Sequence, residues 1–297
     1  MNWRKKVCLG TAQFGNVYGI TNKKKSELSV SEIKKFLILL KKNKIEFVDT
    51  ALNYKNVDIK LEKTKINLNK FKIITKIPRP KAKEKFYKRK ILRKILKSKE
   101  ILKIKSFNAI LIHNCQDLNV KQAKLIKDTL NELKDRKLTK KIGLSVYNPK
   151  DLNFMLRFFI PDLIQAPHNV FDARFTQGKI LNKIFKNNIE LHVRSVFLQG
   201  LLLTDMKNIN LKFNKWEKLF EKWDLYCKKN KISKLEASVS LAMKNKKIKK
   251  IVVGFSNIDE FIEFLKIQVK NKLIFPKFLT DNEKNIDKLI NPYNWKT

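Results

Sequence analysis

Short apolar runs alternate with longer amphipathic segments from about residue 7 to residue 267. The short runs, many of them rich in β-branched residues, predict strands near Val7–Phe14, Glu46–Ala51, Lys72–Ile77, Ala109–Asn114, Lys140–Val146, Leu163–Pro167, Glu190–Val196 and Ile251–Phe255. Apolar positions at helical spacing predict helices over Val30–Lys42, Lys85–Leu102, Val120–Arg136, Lys150–Phe158, Gly178–Lys186, Asn214–Lys228, Lys234–Lys244 and Ile258–Lys266. Ser29, Asn119 and Ser233 stand where N-caps are expected for three of these. Eight strands joined by helical crossovers predict an α/β chain closed into a (β/α)8 TIM barrel. No linker or low-complexity tract interrupts the pattern, so a single domain over residues 1–297 is expected.

Four of the apolar runs end on polar groups of different chemical kinds. Phe47-Val48-Asp49-Thr50-Ala51-Leu52-Asn53-Tyr54 offers a carboxylate and a phenol, and Ile73-Ile74-Thr75-Lys76 an amine. Ile110-Leu111-Ile112-His113 ends on an imidazole and Lys141-Ile142-Gly143-Leu144-Ser145 on a hydroxyl. Successive strands of a parallel barrel deliver such groups to one rim. A phenol has a pKa of about 10 in water, too high for easy proton exchange near neutrality. A nearby ammonium favours the phenolate, and a carboxylate beside the lysine keeps that amine charged and oriented. An imidazole in reach can polarise a carbonyl oxygen. Each residue alone has a plainer reading, Asp49 as a cap, Tyr54 and Lys76 as surface and His113 as a rim residue. Their ordered coincidence favours proton transfer to a carbonyl.

Composition narrows the alternatives. The net charge is +40, yet only eight of the 67 basic residues are arginine and the lysines spread along the whole chain. A nucleic-acid face would concentrate charge with arginine and aromatics interleaved, so no specific nucleic-acid partner is expected, only nonspecific attraction to polyanions at low salt. No uncharged apolar stretch approaches the roughly 18 residues of a membrane span. Three scattered cysteines and no apolar signal region suggest a cytoplasmic protein, mature as written. No Cys/His spacing resembles a metal site, so no metal is expected. His168 and His192 are expected to be structural, and Phe154 to Phe159 to be helix packing.

Taken in order, these segments resemble the aldo-keto reductases. The similar stretches are Leu9-Gly10-Thr11-Ala12-Gln13-Phe14-Gly15, Phe47 to Ala51 with Tyr54, Ile74 to Lys76, Leu111 to His113, Ile142 to Ser145, Ile164-Gln165, Ser195 to Leu202 and Val252 to Asn257. The resemblance implies an oxidoreductase that moves a hydride between NADP or NAD and an aldehyde, ketone or sugar hydroxyl. It makes Tyr54 the general acid/base, Lys76 and Asp49 its support, and His113 the group that orients the carbonyl. Ser145 and Gln165 match residues that hold the nicotinamide, and Gly10 and Thr11 the opening cofactor-side motif. Arg194, Ser195, Phe197, Gly200 and Leu201 fall in the loop that passes the pyrophosphate. Gly254, Ser256, Asn257 and Glu260 match the adenosine end. Relatives with a short N-terminus suggest surface-glycan or sugar metabolism.

The chain departs from the family pattern at several positions. Val146 replaces a frequent asparagine, Lys55 a common glycine, and Arg194 an aromatic residue that stacks on the nicotinamide. Arg194 would suit an acidic substrate or the pyrophosphate instead. Glu260 would repel a 2′-phosphate and accept a hydrogen bond from a free ribose hydroxyl. The family prior favours NADPH and the local residues NADH, so both nucleotides stay open. Arg194 and Val146 also motivate an alternative, a nucleotide-binding regulatory module of the same fold with little turnover. The complete set of four catalytic candidates argues against it. Substrate, direction and oligomeric state are not legible.

Overall fold

The computed structural model describes residues 3–15, 19–20, 27–82, 84–276 and 286–295. Eight parallel strands close a barrel in chain order, the first pairing with the last. The strands are β1 (Val7–Gly10), β2 (Phe47–Asp49), β3 (Lys72–Ile77), β4 (Phe107–Ile112), β5 (Thr139–Ser145), β6 (Leu163–Pro167), β7 (Glu190–Arg194) and β8 (Ile248–Val253). Around them lie α1 (Ala12–Gly15), α2 (Val30–Lys42), α3 (Val57–Lys63), α4 (Tyr87–Leu102), α5 (Val120–Asp135), α6 (Pro149–Met155), α7 (Gly178–Lys186), α8 (Glu217–Lys229), α9 (Lys234–Lys244), α10 (Ile258–Lys266) and α11 (Ile286–Ile290). Among the described residues no helix is long and apolar enough to cross a membrane.

The three expected caps form. The side chains of Ser29, Asn119 and Ser233 accept from the backbone of Glu32, Gln122 and Glu236, whose side chains reach back to the cap N–H. Each reciprocal box satisfies two otherwise orphaned donors, and losing such a cap costs about 1 kcal/mol.

Several boundaries differ from the sequence pattern. Strand one stops at Gly10, because the N–H and hydroxyl of Thr11 both turn to the carbonyl of Asp49 and the chain enters α1. The last strand begins at Ile248, its opening obscured by Lys249 and Lys250. The predicted helix from Asn214 opens as 3-10 turns and becomes α-helical only at Glu217. Strand seven ends at Arg194, since Ser195 takes a left-handed φ of 60°. Helices α3 and α11 both fall in stretches where the sequence pattern predicts no element.

Side chains alternate across a strand, and that alternation aims the site. Cys8, Phe47, Ile74, Ala109, Leu111 and Leu163 form their own apolar cluster, with Val252 against it. Parallel pairing sets Cys8 beside Phe47 and Val252, and Ile74 beside Ala109, so this cluster is the barrel's filled interior. Two residues further along each strand lie Gly10, Asp49, Lys76, His113, Gln165 and Gly254, facing the same axis at the C-terminal mouth. A methyl group on Gly143 would collide with the carbonyl of Leu163 and press on Leu111, so the interior is packed to its backbone. At the other end the Phe47 ring is flanked by the amines of Lys250 at 3.8 Å and Lys72 at 5.2 Å.

A second core packs Phe213, Trp216, Phe220 and Trp223 against Leu198, Leu201 and Leu202. Trp223 donates its indole N–H to the carbonyl of Leu202 at 2.9 Å, fixing the segment that follows β7.

Candidate active site

The barrel mouth opens into a cavity of about 930 Å³, within the range that admits a large organic ligand. Asp49, Tyr54, Lys76 and His113 all line it. Lys76 is buried, with Nζ 2.5 Å from Oδ2 of Asp49 and 3.1 Å from the carbonyl of Thr50. The other oxygen of Asp49 accepts from Nε2 of Gln165 at 2.8 Å. Two buried charges are tolerable only when paired and hydrogen-bonded in this way.

Tyr54 stands on the turn after β2, its backbone N–H donating to Ala51. That turn is stitched to β3 through Thr50 N–H to Ile74 and Leu52 N–H to Lys76. The Tyr54 ring centroid lies 5.9 Å from the Lys76 amine. It meets the His113 ring edge-on, 5.8 Å between centroids. Burial pushes the imidazole of His113 down to about 3, and the charges of Lys76 and Arg194 push it the same way. His113 is therefore neutral at physiological pH. Nδ2 of Asn53 approaches its Nδ1 at 3.4 Å, a long contact that favours a proton on Nε2.

Of the residues expected at the nucleotide, Gly10, Ser145, Gln165, Arg194, Ser195, Phe197, Gly200, Gly254, Ser256 and Glu260 line the same cavity. Thr11 does not. It is fully buried and ties the end of β1 to β2. Leu201 packs into the second core, and Asn257 caps α10, its Oδ1 accepting from the N–H of Glu260 at 2.9 Å. Val146 lies in the outer core and offers no side chain to the cavity.

Ser195, Leu198, Gln199 and Gly200 all have left-handed φ, three of them without glycine's freedom. Such strain gathers where backbone is shaped for a ligand, and successive N–H groups in turn conformations form anion-binding concavities. At α10 the Glu260 carboxylate folds over its own helix start, accepting from Ser256 N–H at 2.7 Å and from Nδ2 of Asn257 at 3.2 Å. The mouth, the strained loop and the α10 start line one elongated cavity with room for a dinucleotide.

Gln13 and Tyr147, given no role from the sequence, also line the cavity. Gln13 lies against Gly254, where a methyl group would collide with its carboxamide. Tyr147 lies beneath the Arg194 guanidinium, 4.0 Å from its ring centroid. His168 and His192 are buried and bonded internally, to Thr176 at 3.0 Å and to Glu190 at 2.7 Å. Among the described residues no group of three or more His, Cys, Asp or Glu is gathered to hold a metal.

Comparison with known proteins agrees with this architecture. The chain superposes on the holo form of an aldo-keto reductase from Bacillus halodurans with a TM-score of 0.68 at 16% identity, over 96% of this chain and 92% of that one. It superposes on a glycerol dehydrogenase from Gluconobacter oxydans with a TM-score of 0.65 at 18% identity, over 96% and 90%. These likenesses show the fold. No curated protein matches the chain by sequence. The sequence model of the aldo/keto reductase family matches residues 6–273. The chain belongs to that family and is an NAD(P)-dependent oxidoreductase.

Proposed function

We propose that the protein interconverts a carbonyl, aldehyde, ketone or sugar, and its alcohol, with Tyr54 as general acid/base. The observation that carries this is the buried Lys76–Asp49 pair, 2.5 Å apart, on the same cavity wall as Tyr54 and His113. The lysine charge favours the phenolate and so eases proton exchange at the Tyr54 oxygen. Asp49 holds Lys76 charged and aimed, and Gln165 holds Asp49. Neutral His113, protonated on Nε2, donates a hydrogen bond that orients the carbonyl oxygen without offering a competing proton. When bound, the nicotinamide nucleotide supplies or accepts the hydride.

Gln165 and Ser145 support the nicotinamide end, and the left-handed loop at Ser195–Gly200 supports the phosphates. Glu260 favours NADH. Its carboxylate already takes the Ser256 N–H and brings negative charge to the helix start, where a 2′-phosphate would need a cation. A sugar or polyol substrate, with a place in surface-glycan or sugar metabolism, is supported by the open mouth and by the name of the Gluconobacter glycerol dehydrogenase. Three buried free cysteines support a reducing, cytoplasmic setting. The test is oxidation of NADH and NADPH across a panel of aldoses, keto-sugars and simple carbonyls. Nucleotide bound with no carbonyl reduced would refute it.

A further inference from the structure

Arg194 is the last residue of β7, and its guanidinium enters the cavity half-buried. Nη2 donates to the carbonyl of Val146 at 3.1 Å and Nη1 to the hydroxyl of Ser195 at 3.2 Å. Two of its five N–H donors are thus engaged, both by neutral acceptors. Among the described residues no carboxylate lies within ion-pair distance of it. The other cavity cations are matched, Lys76 by Asp49 at 2.5 Å and Lys234 by Asp224 at 2.6 Å. Of the cavity's carboxylates, Asp49 is held by Lys76 and Gln165 and Glu260 by the α10 start, while Asp205 and Glu263 also line the cavity without an ion pair to Arg194.

The charge of Arg194 is felt by the buried Asp172, but that carboxylate is ion-paired with Arg174, so an arriving anion would still offset the cost of holding Arg194 partly out of water. The direction of Arg194 says which anion. Its bond to Val146 and its stack on Tyr147 draw it past the end of β6 toward the end of β5. Its charge also reaches His113, after β4. It therefore leans toward the reacting end of the mouth, while its Nη1 bond to Ser195 ties it to the start of the left-handed loop. The Tyr147 face holds the guanidinium flat, and a planar fork of N–H donors matches a carboxylate edge to edge.

We propose that the physiological substrate carries an anionic group, a carboxylate, bound by Arg194 while its carbonyl lies at Tyr54 and His113. The class is oxo acids, aldehyde acids and uronic acids, with the corresponding hydroxy acids as products. This rests on the oxidoreductase reading above. The carbonyl carbon gains a hydride from the nicotinamide, which is oxidised, and the carbonyl oxygen gains the Tyr54 proton. The carboxylate is unchanged.

The test compares paired substrates of similar length, succinic semialdehyde with butyraldehyde and glyceraldehyde 3-phosphate with glyceraldehyde, in wild type, Arg194→Gln and Arg194→Lys. Wild type is expected to prefer the carboxylate member, and Arg194→Gln to lower the charged-to-neutral ratio of kcat/KM by about 10- to 100-fold. Arg194→Lys is expected to restore part of it. A preference confined to the phosphate member would reassign the anion and overturn the carboxylate assignment. A constant ratio with weakened NADH binding would put Arg194 on the pyrophosphate and overturn the proposal. A second measurement needs no turnover: succinate and succinamide are titrated against NADH-loaded protein by nucleotide fluorescence. Succinate is expected to bind the wild type and not Arg194→Gln. Equal binding of acid and amide to the wild type would overturn the proposal even if the hydride-transfer reading survives.

Discussion

Gln165 donates to Asp49 across the whole width of the barrel, 2.8 Å from amide nitrogen to carboxylate oxygen, although β6 and β2 stand four strands apart in a ring of eight. The bond closes a buried chain from Gln165 through Asp49 to Lys76, so the carboxylate that orients the lysine is itself held from the opposite wall. Gln165 thus braces the Asp49–Lys76 pair proposed to support Tyr54.

Removing Asp49 should therefore cost both fold and turnover. Asp49→Ala leaves Lys76 buried without its counter-charge, and the expected destabilisation is about 3–5 kcal/mol. Asp49→Asn keeps the shape and should spare more stability while still lowering kcat. Gln165→Leu is expected to lower kcat less than either. Denaturant titration with steady-state kinetics checks this, and an Asp49→Ala protein as stable as wild type would contradict it.

The neutrality of His113 sets a pH expectation. Its folded value, pushed down to about 3, lies below the ordinary 6.5. The unfolded chain therefore binds more protons at this residue between those limits, and His113 costs stability as the pH falls through that window. The stability of wild type relative to His113→Asn should shrink as the pH drops from about 6.5 toward 3. In NMR titration the His113 imidazole should show no ionisation between pH 5 and 8. An imidazole that titrates near 6.5 would remove the neutral donor from the proposed chemistry.

Much of this was legible in the chain because parity along each strand is a sequence property. Asp49, Lys76 and Gln165 stand two residues beyond Phe47, Ile74 and Leu163, and the same alternation that fills the barrel aims them at its mouth. Lys250 hid the opening of β8, since a lysine there covers the Phe47 ring at the floor instead of marking a loop. Helix α3 was hidden because Val57-Asp58-Ile59-Lys60-Leu61-Glu62-Lys63 is short and more than half charged, with only Val57 and Leu61 buried. Tyr147 gave no local signal, because its role is a stack with a residue on β7 that only the closed barrel brings near. The Gln165–Asp49 bond likewise depends on closure.

The α10 start separates the two nucleotides. Wild type is expected to bind NADH more tightly than NADPH. Glu260→Ala, which removes the carboxylate and frees the Ser256 N–H, should shift the ratio toward NADPH by at least about tenfold. Parallel fluorescence titrations at one salt concentration check it. Tighter binding of NADPH by the wild type would contradict the role given to Glu260.

Gly143 tests the packing beneath the site. Gly143→Ala should cost about 1–3 kcal/mol, because the added methyl meets the Leu163 carbonyl, which is backbone and cannot rotate away. Thermal melting reads this, and an unchanged melting temperature would mean the interior is looser than described.

The central claim concerns one proton, and Tyr54→Phe tests it most directly. The substitution keeps the ring against His113 and deletes only the hydroxyl. With any carbonyl the wild type reduces, kcat should fall by about 10²- to 10⁴-fold while the Kd for NADH stays within about threefold of wild type. A Tyr54→Phe enzyme that binds NADH normally and turns over at the wild-type rate would contradict the account.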